Sequence, residues 1–167
     1  MQRQEEGQTV VNISCMTDSP ISPPIRPLAL ALIRDGERIL VGDNVEAATG
    51  RRFYRPLGGG IEWGEAGRDA VARELREEIG AGVLSVSYRA TIENIFVVEG
   101  GMGHEIVLLF DVDLADRALY SRDMIEGAES DGEPLRAVWV TLDEFDKEGT
   151  PPLFPEGLLD LVKNGAR

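Results

Sequence analysis

GGIEWGEAGRDAVARELREEIGA, residues Gly59–Ala81, is the stretch whose reading decides the fold. Val71, Leu75 and Ile79 recur at i, i+4 and i+8, the spacing of an apolar stripe on a helix, and predict a helix over residues 65–79. Gly80 and Gly82 supply its stop. Glu74, Glu77 and Glu78 stand at i, i+3 and i+4, so their carboxylates are expected together on a face opposite the apolar stripe. Three carboxylates that close repel one another. A hard divalent cation relieves the repulsion, because Mg²⁺ and Mn²⁺ favour oxygen ligands. Arg73, four residues before Glu77, is placed to brace the cluster by an ion pair. The alternative reading of such a run of acids is a solvated helix face.

Outward from this stretch, Leu28 to Ile33 is an unbroken apolar run, and Asp35-Gly36 turns it into Arg38-Ile39-Leu40-Val41. Two apolar runs about a D-G dipeptide predict a β-hairpin. Residues 43–52 read as a loop, 53–56 as a short strand, and the glycine-dense residues 57–64 as an exposed loop. After the helix, residues 83–98, 105–114 and 135–140 are β-rich, the first long enough for a bulge, with a glycine turn at 100–103. Thr141-Leu142-Asp143-Glu144 fits a capping box opening a short helix, and residues 155–164 a last helix. Residues 1–27 hold four of the nine prolines and no persistent period, which predicts a mobile tail ahead of one domain over residues 28–167.

Composition narrows the function. The chain has 167 residues with 30 acidic and 17 basic side chains, a net charge of −13. That balance argues against a nucleic-acid polymer as partner, since such binding needs a basic patch to displace counterions. One cysteine, Cys15, excludes an internal disulfide framework and any Cys-based zinc site, and one histidine, His104, excludes paired-His metal motifs. No apolar run is long enough for a membrane span, and no basic-then-apolar leader pattern opens the chain, so a cytoplasmic domain is expected. The glycine run at 58–60 is neither a P-loop nor a dinucleotide fingerprint, and Asp131-Gly132-Glu133 lacks the alternating acids of a calcium loop.

Gly59, Glu65, Arg73-Glu74-Leu75-Arg76-Glu77-Glu78-Ile79-Gly80 and Ala81 resemble the Nudix box, the signature of the Nudix hydrolase family. The entry at Tyr54-Arg55-Pro56-Leu57-Gly58 and the late Trp139-Val140-Thr141-Leu142-Asp143-Glu144-Phe145 are similar to the family's flanks. The resemblance implies an α/β fold, an α/β/α sandwich with a mixed β-sheet between helices and the box as a loop-helix-loop. It implies metal-dependent cleavage of the pyrophosphate link in a nucleoside diphosphate joined to another group X. Carried over by position, Glu74, Glu77 and Glu78 are the metal ligands, with the Gly59 carbonyl a further one, and the cofactor is Mg²⁺ or Mn²⁺. Glu65, Arg73 and Gly80 shape the box. Ala66 departs from the Ser or Thr that often caps this helix, and Ala81 is a weak form of the last aliphatic position.

Family members commonly recruit an acid from outside the box. Glu133 is the first candidate for that base, followed by Glu105, Glu129 and Glu93. Arg55 is a candidate for the substrate's phosphates, through bidentate bonds. Trp63, Phe53, Tyr54 and Phe96 are aromatic side chains placed to stack on a base or to fill the core. The expected partners are a small-molecule nucleotide substrate and, as assembly, a homodimer. Phe96 stands where ADP-ribose hydrolases often carry proline, and no other subfamily marker is matched. A non-catalytic nucleotide-sensing module of the same fold is the alternative, and the intact carboxylate trio favours the enzyme.

Overall fold

The computed structural model describes residues 24–98, 101–129 and 132–165. The tail expected over residues 1–27 lies mostly outside them, and the first strand, β1 (Arg26–Asp35), begins two residues inside it. Leu28 to Ile33 are all buried, as an apolar run covered on both faces must be. β1 is the axis of the molecule. It runs parallel to β6 (Gly101–Leu114) and antiparallel to β2 (Arg38–Val45) and β4 (Leu57–Gly60). The hairpin predicted at Asp35-Gly36 is present, with Asp35 opposite Arg38 and Ile33 opposite Leu40.

Among the described residues the eight strands form one mixed sheet, in the order β5 (Val83–Val98), β6, β1, β2, β8 (Pro134–Thr141) and β7 (Met124–Ala128). β3 (Arg52–Arg55) pairs with β2, and β4 with β1. The helix α1 (Gly67–Ile79) covers one face, over a core of Ala29, Ala31, Leu57, Ala70, Val71, Leu75 and Phe110. The helix α2 (Leu158–Asn164) covers the other, over Leu28, Leu30, Val107, Leu109, Leu158 and Val162. This is the α/β/α sandwich.

Three expectations are corrected, and the connection after β6 gains elements that the sequence did not assign. Residues 57–60 form a strand rather than an exposed loop, because Gly58, Gly59 and Gly60 pair with Leu30, Ala29 and Leu28. β2 runs on to Val45, which shortens the expected loop over 43–52. The capping box at Thr141 opens only a 3-10 turn, Leu142–Asp146, without a side-chain cap bond. The connection between Leu114 and Leu135 is not a plain loop: it holds a 3-10 turn at Arg117–Ser121, capped by the Asp116 carboxylate, and the strand β7. The strand had a signal, since Asp131-Gly132 is the same hairpin dipeptide as Asp35-Gly36. β5 carries register shifts at Val83/Ser85 and Tyr88/Ala90, the bulge its length suggested.

Candidate active site

The box closes around Arg73. Its Nε and Nη2 donate to the two Glu65 carboxylate oxygens at 2.9 and 3.0 Å, and Nη2 also donates to the Gly60 carbonyl at 2.9 Å. Nη1 donates to Glu74 Oε1 at 2.9 Å and to Glu77 Oε2 at 3.2 Å. The bond from Arg73 and the Glu62 backbone N–H hold the Glu65 carboxyl below the usual carboxylate range. One guanidinium thus ties the strand β4, the loop and two carboxylates of the helix together. Ala66 supplies no side-chain cap at the start of the helix, where the Asp69 and Ala70 N–H groups bond to its backbone carbonyl. The far end is closed by Gly80 in the left-handed conformation (φ 66°), with its N–H on the Arg76 carbonyl.

The helix does not present its three glutamates as a single outward face. Glu74 and Glu78 are buried beside Val71 and Leu75, while the Glu77 side chain is 48% exposed. At roughly 100° per residue, positions 74 and 78 diverge by only about 40° and 77 and 78 by about 100°, so the trio straddles the edge of the buried arc. Among the described residues no three acidic, histidine or cysteine side chains already converge as a cation site.

Each buried carboxylate has its own counterweight. Glu74 has Arg73, and Glu78 Oε2 accepts the Gly58 N–H at 3.0 Å. The balance at Glu78 remains unfavourable to charge. Burial first, then the neighbouring Glu129 and Glu74, push its carboxyl up to about 8, against the Gly58 N–H and Arg55, which pull it down. The Gly59 backbone lies directly against Glu74: a β-carbon there would stand 2.6 Å from Glu74 Oε1. Only glycine leaves that space to the carboxylate. An all-oxygen donor set with excess buried negative charge, cradled on bare backbone, fits a hard divalent cation. Glu74, Glu78, Glu77 and the Gly59 carbonyl are the groups that would hold it.

Acids outside the box fall differently from their expected ranking. Strand alternation puts Ile125 and Gly127 on the α1 side of β7, and the same parity carried one residue past the strand's end reaches Glu129. Ile125 belongs to the α1-side core, and a β-carbon at Gly127 would stand 1.9 Å from the Glu78 carbonyl oxygen. Glu129 follows on that face, and its charge is felt by Glu78. Glu133 is exposed across the same turn, its carbonyl accepting the Glu129 N–H at 2.8 Å. Glu105 is buried, but it shares parity with Val107 and Leu109 of the α2-side core, so the sheet stands between it and the box. It accepts from Asn94 Nδ2 at 3.1 Å and pairs with Arg26 at 3.8 Å. Glu93 is occupied with His104, Nε2 to Oε1 3.0 Å, on the β5–β6 hairpin. The alternation of β7 could have singled out Glu129, had that strand been recognised. Of the aromatic candidates, Tyr54 packs at 6.0 Å on Phe145 and Phe53 at 5.8 Å on Phe154, while Trp63 packs in no core.

A family model of the NUDIX domain matches residues 24–158. The NAD-capped RNA hydrolase NudC of Mycobacterium tuberculosis is 34% identical over 123 residues, 73% of this chain and 34% of that protein. The NudC of Pseudomonas putida is 35% identical over 66 residues, 40% of this chain and 23% of its own. The chain therefore spans about a third or less of these curated relatives. Among solved structures, a MutT NUDIX hydrolase from Burkholderia pseudomallei superposes with a TM-score of 0.58 at 22% identity, covering 84% of this chain and 98% of that one. A MutT protein from Methanosarcina mazei gives 0.60 at 20% identity, covering 87% and 95%. At such identities these two establish the fold. The chain belongs to the Nudix hydrolase family, whose members generally use divalent metal ions. No helix among the described residues is long and apolar enough to cross a membrane.

Proposed function

We propose that this chain hydrolyses the phosphoanhydride of a small nucleoside diphosphate joined to a second group. The observation that carries the reading is the pair of buried glutamates set on bare glycine backbone, Glu74 steadied by Arg73 and Glu78 by the Gly58 N–H. A fold does not bury two carboxylates side by side for stability, because each costs several kcal/mol to desolvate, on the order of the effective penalty per buried ion. A bound Mg²⁺ or Mn²⁺ would supply neutralisation of the diphosphate charge and activation of a water molecule.

The chain's own residues do the rest. Arg55, whose charge reaches Glu78, binds the phosphate oxygens at the mouth of the site. Glu129 accepts the proton of the attacking water as the new P–O bond forms and the bridging P–O bond breaks, with the electron pair leaving on the departing phosphate. Glu133, across the turn from Glu129, is the alternative acceptor. Arg73 holds Glu74 and Glu65 and touches no substrate.

The relatives named NAD-capped RNA hydrolases make a dinucleotide pyrophosphate the first substrate to try. With a net charge of −13, the free dinucleotide suits this chain better than a capped RNA, whose polyanionic body would be repelled. The test is a panel of NAD, NADH, ADP-ribose, nucleotide sugars, nucleoside triphosphates and NAD-capped RNA, with Mg²⁺ or Mn²⁺, scored for released phosphate esters. Metal-dependent turnover of at least one compound is expected. Metal-dependent binding with no turnover of any would replace the hydrolase with the nucleotide sensor. The cytoplasm and a homodimer complete the proposal. Light scattering of the full chain at micromolar concentration checks the dimer.

A further inference from the structure

Between Gly59 and Glu65 the chain makes a tight turn, and Trp63 occupies its outer corner. The Glu65 N–H bonds to the Glu62 carbonyl at 3.0 Å, and Gly64 follows Trp63 with φ 83°, the backbone a type II turn demands at its third residue. The turn is locked twice more: Glu65 Oε2 accepts the Glu62 N–H at 3.0 Å, and Arg73 grips both oxygens of the same carboxylate. The corner is therefore as rigid as the carboxylate site, because one guanidinium holds both.

On this fixed corner the indole is 104% exposed, the most exposed of the large apolar side chains among the described residues. The contrast with Trp139 is sharp. That ring lies 5.4 Å from Tyr120 with Arg38 at 5.0 Å over it, and its Nε1–H bonds to the Leu119 carbonyl. Trp139 is structural, whereas Trp63 supports nothing in the fold. Leaving an indole in water forfeits burial worth on the order of 2 kcal/mol for a large apolar side chain, and a braced turn gives it no route inward. Trp63 lies four positions after Gly59, at most about 14 Å of extended chain and less through the turn, which is within reach of an extended nucleotide.

We propose that Trp63 is a stacking platform for the heterocyclic base of the nucleotide whose diphosphate is cleaved at the carboxylate site. This rests on the hydrolase reading of the site and extends it to substrate recognition. An indole face accepts any base, so the platform gives affinity with little base selectivity. The corner is held before ligand arrives, so stacking orders only the side-chain torsions of the indole.

Trp139→Phe leaves Trp63 as the only tryptophan of the chain. In that background AMP, GMP, CMP and UMP, titrated without metal, should each quench the indole emission saturably, and ribose 5-phosphate should not. In the otherwise unaltered chain, Trp63→Ala should raise KM about five- to tenfold for the substrate found on the panel, the low end of base-stacking effects, with kcat within twofold. Trp63→Phe should recover most of the loss. Turnover with KM unchanged in Trp63→Ala, and no quenching by any monophosphate, would overturn the platform while leaving the hydrolase intact. Quenching by the monophosphates without turnover of any compound would support the platform and remove the hydrolase. A halving of the light-scattering mass in Trp63→Ala with KM and quenching unaltered would assign the indole to a subunit interface and likewise overturn the proposal.

Discussion

The two helices cover opposite faces of one sheet and do different work. α2 is seven residues long and seats Leu158 and Val162 fully in the core. The carbonyl of Leu161 and that of Gly165, just past its end, accept from Arg89 Nη2 at 3.2 and 3.0 Å, while Arg89 Nη1 pairs with Asp111 at 3.1 Å. α1 has 13 residues and buries two glutamates along with its apolar stripe. One helix seals the core with hydrocarbon; the other brings charge to the core's edge and needs the rest of the fold to tolerate it. A helix that buries charge is expected to give up stability for chemistry, and a helix that buries only hydrocarbon is expected to do the reverse.

That contrast breaks most visibly at Glu78. Glu78→Gln keeps the shape and the Gly58 N–H contact while removing a charge that burial, Glu129 and Glu74 all oppose. Activity should fall by about a hundredfold or more, the scale of losing a key electrostatic group. In EDTA, the midpoint of thermal unfolding should hold or rise. Normal turnover at saturating Mg²⁺, or a marked drop in metal-free stability, would show that Glu78 is ordinary packing.

Next in size is the outer acid. Glu129→Gln should lower kcat about ten- to a hundredfold with KM little changed, because a proton acceptor acts in the transition state. Glu133→Gln should cost clearly less. The reverse order in kcat would transfer the role to Glu133, and two neutral variants would return it to the box, to Glu74.

Gly127 tests how closely the charged helix must sit. A methyl group there meets the Glu78 backbone carbonyl, which cannot swing aside as a side chain can. Gly127→Ala should push the end of α1 off β7, lowering kcat about tenfold and stability by about 1–3 kcal/mol, the usual cost of overpacking. An alanine enzyme with wild-type kcat and melting temperature would mean that the helix has slack.

The smallest effect on catalysis, and the largest on stability, belongs to α2. Leu158→Ala should cost about 2–5 kcal/mol, or roughly 5–15 °C in the unfolding midpoint, with kcat within twofold well below that temperature. A parallel loss of kcat at low temperature would couple α2 to the site and erase the division between the two faces.

Local sequence pattern determined much of this protein. The apolar run from Leu28 to Ile33 and the dipeptide Asp35-Gly36 read as a β-hairpin, and residues 65–79 as a helix that ends at Gly80. The neighbourhood of the candidate carboxylates and of Arg73 was legible for the same reason: spacing along a single helix fixes which groups lie close together. Tertiary structure decided the rest. Burial of Glu74 and Glu78, with Glu77 left half in water, depends on how far the helix rolls onto β4 and β7. Bare backbone at Gly59 and Gly127 sets that roll. The nearness of Glu129 to Glu78, rather than of Glu105, follows from strand parity and from a strand, β7, too short to show a period. Trp63 and Trp139 are the same residue type, one outside and one packed, because the first sits on a turn corner that Arg73 locks in solvent and the second on a strand that other side chains cover. Neighbours along a helix are written into the chain, but neighbours across a sheet exist only once the strands have chosen partners.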